Sequence, residues 1–79
     1  MDKTTAEIAQ DYSAMGDSET LITDIIAGNA MADNTAEDKQ DCVDRNVEHL
    51  VLMVAKDYWT DEDMTAVNSA ITAGNGYTA

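Results

Sequence analysis

Acidic residues recur at helical spacing in the middle of the chain, at Glu37, Asp41, Asp44 and Glu48. Steps of four, three and four residues place them in one row along an α-helix, with about 5–6 Å between successive turns. The same row continues to Leu52 and, in a helix that is long enough, to Trp59. This arrangement predicts a docking surface for a protein, with a tryptophan anchor and an acidic rim. The alternative is a solvated face whose acids are favoured by the helix dipole, with Leu52 and Trp59 packed under another helix.

A second functional interpretation of the row is mimicry of nucleic acid. Carboxylates on a rigid helix present negative charge at intervals comparable to those of phosphates. Such a row would occupy a basic groove that otherwise holds DNA or RNA, and its binding would weaken steeply with ionic strength.

Residues that commonly carry catalysis or bind metals do not form a recognisable site. Cys42 and His49 are the only cysteine and histidine, and two helical turns separate them by about 10 Å, too far to share a zinc ion or to act as a nucleophile and its base. The acidic run 61–63 fails the EF-hand pattern and is explained by helix capping. No nucleophile elbow or phosphate-binding glycine motif occurs. We therefore predict a protein that is not an enzyme and holds no metal or cofactor.

The charge balance limits the partners and the compartment. Sixteen acidic residues against four Lys and Arg leave a net charge of −12, which disfavours direct binding to nucleic acid and to anionic membranes. The longest apolar run, residues 50–55, is far shorter than the ~20 residues of a membrane span. No apolar segment follows a basic start, and a lone cysteine fits a reducing compartment. We expect a cytoplasmic protein.

Three stretches with helical periodicity must position these residues. The first carries its apolar residues on one face and is expected to run from a Thr4–Glu7 capping pattern to a stop at Gly28. Since the apolar phase continues across Gly16, one long helix is favoured, and a break there would create a fourth helix. The residues that share this face are Ile8, Tyr12, Met15, Ile22 and Ile26.

The second stretch predicts a helix from an N-cap at Thr35, with Asp38 in its first turn, to about Trp59. Its apolar stripe comprises Val43, Val47, Leu50, Val51, Val54 and Tyr58, of which Val47, Leu50, Val51 and Val54 are expected to form the centre of the core. The third stretch begins with a capping box at Thr60 and Asp63, carries Met64, Val67 and Ile71 at steps of three and four, and is expected to end at Gly74.

These elements predict a single all-α domain over residues 1–79. The absence of proline and of period-two alternation disfavours a sheet. A compact bundle of three helices, or four if the first breaks, is the simplest architecture. Asn75-Gly76 begins a tail that we expect to be flexible, in which Tyr77 either docks back onto the bundle or is free.

The segment 46–79 also resembles a known group of proteins. It contains Asn46-Val-x-His-Leu50, an acidic helix start, and Ala66-Val-Asn-x-Ala-Ile-x-Ala-Gly74. In these features it resembles the C-terminal part of small, acidic, helical and uncharacterised proteins of tailed bacteriophages. The resemblance covers less than half of the chain. It implies a phage accessory or virion-associated protein, located in the virion or in the host cytoplasm, and it assigns no site. Together with the acidic row, it favours a non-enzymatic protein that binds another protein or associates with itself.

Overall fold

Three α-helices make up the bundle in the computed structural model, which describes residues 5–79. They are α1 (Thr5–Ala27), α2 (Ala36–Val54) and α3 (Asp61–Asn75). Each helix packs against the other two, and residues 5–79 contain no β-strand. The prediction of an all-α bundle of three helices is confirmed.

α1 is continuous across Gly16, so the version with four helices is wrong. A Cβ at Gly16 would have no neighbour within 4 Å, and this glycine costs the helix only its conformational entropy. The predicted stop at Gly28 is confirmed. Gly28 has φ of 81°, and the N–H groups of Gly28 and Asn29 donate to the carbonyls of Ile25 and Asp24, which is a Schellman motif. The predicted cap at Thr4 lies outside the described residues.

α2 begins as predicted but ends at Val54 rather than near Trp59. The Thr35 hydroxyl accepts a hydrogen bond from the Asp38 N–H at 3.1 Å, which confirms the N-cap. At the other end, the Trp59 indole Nε1–H donates to the Met53 carbonyl at 2.7 Å. The same carbonyl accepts from the Lys56 N–H at 3.1 Å. It is therefore not available for the helical bond from residue 57, and residues 55–60 form a connector instead of a single-residue turn.

α3 has the predicted capping box, in which the Thr60 hydroxyl accepts from the Asp63 N–H and the Asp63 carboxylate accepts from the Thr60 N–H. The predicted end at Gly74 is wrong, because the helix continues to Asn75 with Gly76 as its C-cap. Gly74 is instead a packing residue. A Cβ at this position would lie 2.3 Å from Val47 Cγ2, so only glycine lets α3 approach α2 this closely.

The core confirms Val47 and Leu50 as buried residues of α2 but excludes Val51, which is 49% exposed. Val54 is half-buried at the edge, and Met53 is buried instead. On α1, Ile26 is 41% exposed and Ile25 takes its place. α1 and α3 both pack against α2, and the side of α2 that they cover does not include Val51. The buried apolar residues are Met15, Ile22, Ile25, Val43, Val47, Leu50, Met53, Val67 and Ala70.

Candidate functional site

One face of α2 is exposed over the whole length of the helix. It lies opposite the buried positions 43, 47, 50 and 53, so neither α1 nor α3 covers it. Its residues recur at steps of three and four, apart from one adjacent pair, and so lie on one side of the helix. We call it the outward face; it consists of Glu37, Asp41, Asp44, Glu48, Val51, Leu52 and Ala55.

The N-terminal half of the outward face is anionic. The four predicted carboxylates are all exposed, and the row they form is about 16 Å long. Arg45 forms an ion pair with Asp41, and this contact raises the pKa of the guanidinium. The Gln40 side chain donates to the Asp44 carboxylate at 3.0 Å. One cation among four carboxylates leaves this half strongly negative.

The C-terminal half of the outward face is apolar. Leu52 is 66% exposed and Val51 is 49% exposed, whereas the core residues of α2 are almost completely buried. On the outward face, the residues that come next after Glu48 are these two and the exposed Ala55. The outward face therefore changes from anionic to apolar along the helix.

Trp59 does not continue this row, because α2 ends before reaching it. Its ring packs edge-on against Tyr12, with centroids 4.7 Å apart and planes at 78°, and it lies 4.6 Å from the Tyr58 ring. With its N–H bonded to the Met53 carbonyl, the indole is half-buried at the end of the bundle. Of the six residues predicted to bind a partner, the structure thus brings five together on the outward face and places Trp59 elsewhere.

Two tyrosine–carboxylate hydrogen bonds lie next to Trp59. They link α1 to the connector and to α3. Tyr12 donates to Asp63 at 2.6 Å, which raises the pKa of the phenol and lowers the pKa of the carboxyl. Tyr58 donates to Asp11, and Lys56 Nζ lies 3.8 Å from the same carboxylate. Burial and the bond to Asp11 raise the pKa of Tyr58 to about 12. Residue spacing does not predict this arrangement, since the partners are 51 and 47 residues apart.

His49 and Ser18 form the one serine–histidine contact within residues 5–79. Ser18 Oγ lies 2.7 Å from His49 Nδ1, but Ser18 is only 5% exposed. This contact joins α1 to α2 inside the bundle. The Cys42 thiol accepts a weak hydrogen bond from the Asn46 side-chain amide at 3.6 Å.

The part of the chain that the structure describes has no group of three or more His, Cys, Asp or Glu arranged to hold a metal ion. In the acidic run 61–63, Asp63 is engaged by Thr60 and Tyr12. None of the helices within residues 5–79 combines the length and the apolar character that crossing a bilayer requires.

Glu19 is an acid that the structure leaves incompletely satisfied. Its Oε1 atom is buried without a hydrogen-bond partner. Burial, followed by the negative charge of Asp63, raises the pKa of this carboxyl. Glu19 borders a groove between α1 and α3 whose α3 side carries only small side chains.

The C-terminal segment folds back beside the acidic row. Gln40 donates to the Tyr77 carbonyl at 3.2 Å, and its Oε1 accepts from the Ala79 N–H at 2.9 Å. Tyr77 is half-buried and packs against the core. Of the two possibilities open for Tyr77, docking onto the bundle is therefore the one observed.

Comparisons with known proteins gave no match. No protein-family model matches the chain, and neither the curated proteins nor the solved structures gave a match.

Proposed function

We propose that this chain is a non-enzymatic interaction protein that binds a protein through the outward face of α2. The observation that carries the proposal is the exposure of Val51 and Leu52, at 49% and 66%, on a helix whose other large aliphatic residues are buried or half-buried. Exposed aliphatic side chains beside a carboxylate row provide both parts of a binding surface, an apolar centre and a charged rim.

The apolar residues and the carboxylates of the outward face are expected to have different roles in binding. Complete burial of a Leu or Val side chain contributes about 1.5–3 kcal/mol, and both residues are already partly covered. The apolar group alone therefore supports a weak interaction. The carboxylates add selectivity and accelerate association, because charge steers a partner of opposite sign toward the helix.

The resemblance of residues 46–79 to phage proteins adds a biological setting to this proposal. In that setting the protein is a phage accessory or virion-associated component. Its partner is then a virion protein, a host protein or a second copy of the chain.

A second candidate function is inhibition of a DNA- or RNA-binding protein by mimicry of nucleic acid. The exposure of all four carboxylates on one face of a single helix favours it. In this case the partner's nucleic acid should compete for binding, and the acids should contribute more than Leu52 does.

The test is affinity capture from a lysate of the native host, with three forms of the full chain as bait. We expect wild type to capture a protein that a Val51→Ser, Leu52→Ser variant fails to capture. The matched control is Ile26→Ser, which removes an aliphatic side chain that is also exposed but lies on α1. Mass spectrometry identifies the captured protein, and circular dichroism checks that every bait is folded.

Capture that is unchanged by the double substitution would refute the proposal that this face binds. Equal loss with Ile26→Ser would also refute it, since general surface hydrophobicity would then explain the capture. Displacement of the partner by DNA or RNA would favour mimicry.

A further inference from the structure

We propose that the partner of the outward face is a cationic amphipathic helix, aligned antiparallel to α2, with Lys or Arg opposite residues 37–48 and aliphatic side chains opposite Val51 and Leu52. This inference rests on the proposed function and goes further by defining the chemistry of the partner.

The chain itself has few cations to place against these carboxylates. The net charge is −12, with only four Lys and Arg in the sequence. Arg45 already pairs with Asp41, and Lys56 lies against Asp11 at the far end of the bundle. A partner that covered the carboxylates without supplying positive charge would desolvate them uncompensated, which is costly.

A second copy of the chain does not meet this requirement. If two outward faces paired in parallel, the carboxylate row of one copy would lie against the row of the other. If they paired antiparallel, the carboxylates of each copy would lie against Val51 and Leu52 of the other and lose their hydration. Both arrangements also bring two chains of charge −12 together.

The shape of the face favours a helix as the occupant. The face runs along α2 from Glu37 to Ala55, about 27 Å, and is made of ridges at steps of three and four residues. A second helix with the same period keeps its side chains in register with such ridges over several turns. Antiparallel alignment also places the negative end of the partner's dipole beside the positive end of α2, and it puts the partner's cations in its C-terminal half, where the dipole favours them.

The probe is a synthetic helical peptide of about twenty residues with a fluorescent label. It carries two leucines in its N-terminal half and four lysines in its C-terminal half, on one face and at the spacing of the α2 residues. One control peptide has glutamine at the lysine positions, and another has serine at the leucine positions. Fluorescence anisotropy measures binding of each peptide to the full chain at low and at moderate salt.

We expect saturable binding of the probe that weakens as salt is added. An Asp44→Asn, Glu48→Gln variant should bind about tenfold more weakly, and Leu52→Ser should cause a similar loss. Each control peptide should lose affinity in the same way. Asp17→Asn, Asp33→Asn removes the same charge from exposed positions outside α2 and should bind like wild type.

Failure of wild type to bind the probe would overturn the inference. Equal weakening by the Asp17, Asp33 control would overturn it as well, because net charge alone would then attract the peptide. A wild-type dimer in light scattering that is lost in Leu52→Ser would identify a second copy as the occupant. If the host protein is still captured through Val51 and Leu52 while the probe does not bind, the proposed function stands and only the chemistry of the partner is wrong.

Discussion

Gly74 is the position where one added methyl group should be most damaging. The Cβ of a Gly74→Ala variant would lie 2.3 Å from Val47 Cγ2 and 3.5 Å from Val43 Cγ1. Carbon atoms in favourable contact are about 3.5–4.0 Å apart, so the first contact requires a displacement of more than about 1 Å. Val47 cannot easily rotate away, because a β-branched side chain in a helix has one strongly preferred rotamer.

The expected cost follows from two opposing terms. Overpacking a well-packed core costs about 1–3 kcal/mol. Replacing glycine by alanine inside a helix recovers at most about 1 kcal/mol, and less in the last turn, where Gly74 lies. The net loss should be about 1–2 kcal/mol, and a domain of this size loses about 4–8 °C in melting temperature per kcal/mol.

Urea denaturation followed by circular dichroism measures this loss. The matched control is Gly16→Ala, where the new Cβ meets nothing within 4 Å, and it should stabilise the protein by up to about 1 kcal/mol. Val47→Ala should partly relieve the clash in Gly74→Ala. The double variant should therefore lose less free energy of unfolding than the two single variants lose in total, by at least about 0.5 kcal/mol. If Gly74→Ala is as stable as wild type, α3 does not approach α2 as closely as described.

Three further predictions concern the core and the charges. Leu50→Ala should lower the free energy of unfolding by about 2–5 kcal/mol, whereas Val51→Ala should change it by no more than about 0.5 kcal/mol. Urea denaturation of both variants tests this. Equal losses would contradict the placement of Leu50 in the core and Val51 on the exposed face of α2. Glu19→Gln should raise the melting temperature at pH 7, and this gain over wild type should shrink toward pH 4. The reason is that the pKa of Glu19 is raised in the folded state, so the wild type loses stability as the pH rises and this carboxyl ionises. Stability at neutral pH should rise with sodium chloride, since salt screens the repulsion behind the net charge of −12; melting temperatures that do not depend on salt would show that the acids are already compensated.

The starts of α2 and α3 and the end of α1 were predictable because they depend on local contacts. Thr35 and Thr60 accept hydrogen bonds from N–H groups three residues away, and Gly28 ends α1 through bonds to the preceding turn. The joint exposure of Glu37, Asp41, Asp44, Glu48 and Leu52 follows from one period on one helix. These interactions span a few residues, so residue type and spacing determine them.

The end of α2 and the orientation of its buried face depended on the rest of the molecule. Trp59 stops the helix only because its indole folds back to the Met53 carbonyl and packs against Tyr12 of α1. Val51 and Met53 are both apolar, and the positions of α1 and α3 decide which of them is buried.

Contacts between distant segments account for what the sequence analysis missed. Gly74 is required by its approach to Val47, and Ser18 finds its partner in His49 on another helix. By itself the sequence determined the helices, the N-terminal caps of α2 and α3 and the row of carboxylates, because short-range hydrogen bonds and the helical period act within one segment. Only the tertiary structure decided which side of each helix is covered, since burial depends on where neighbouring helices lie, and no single segment carries that information.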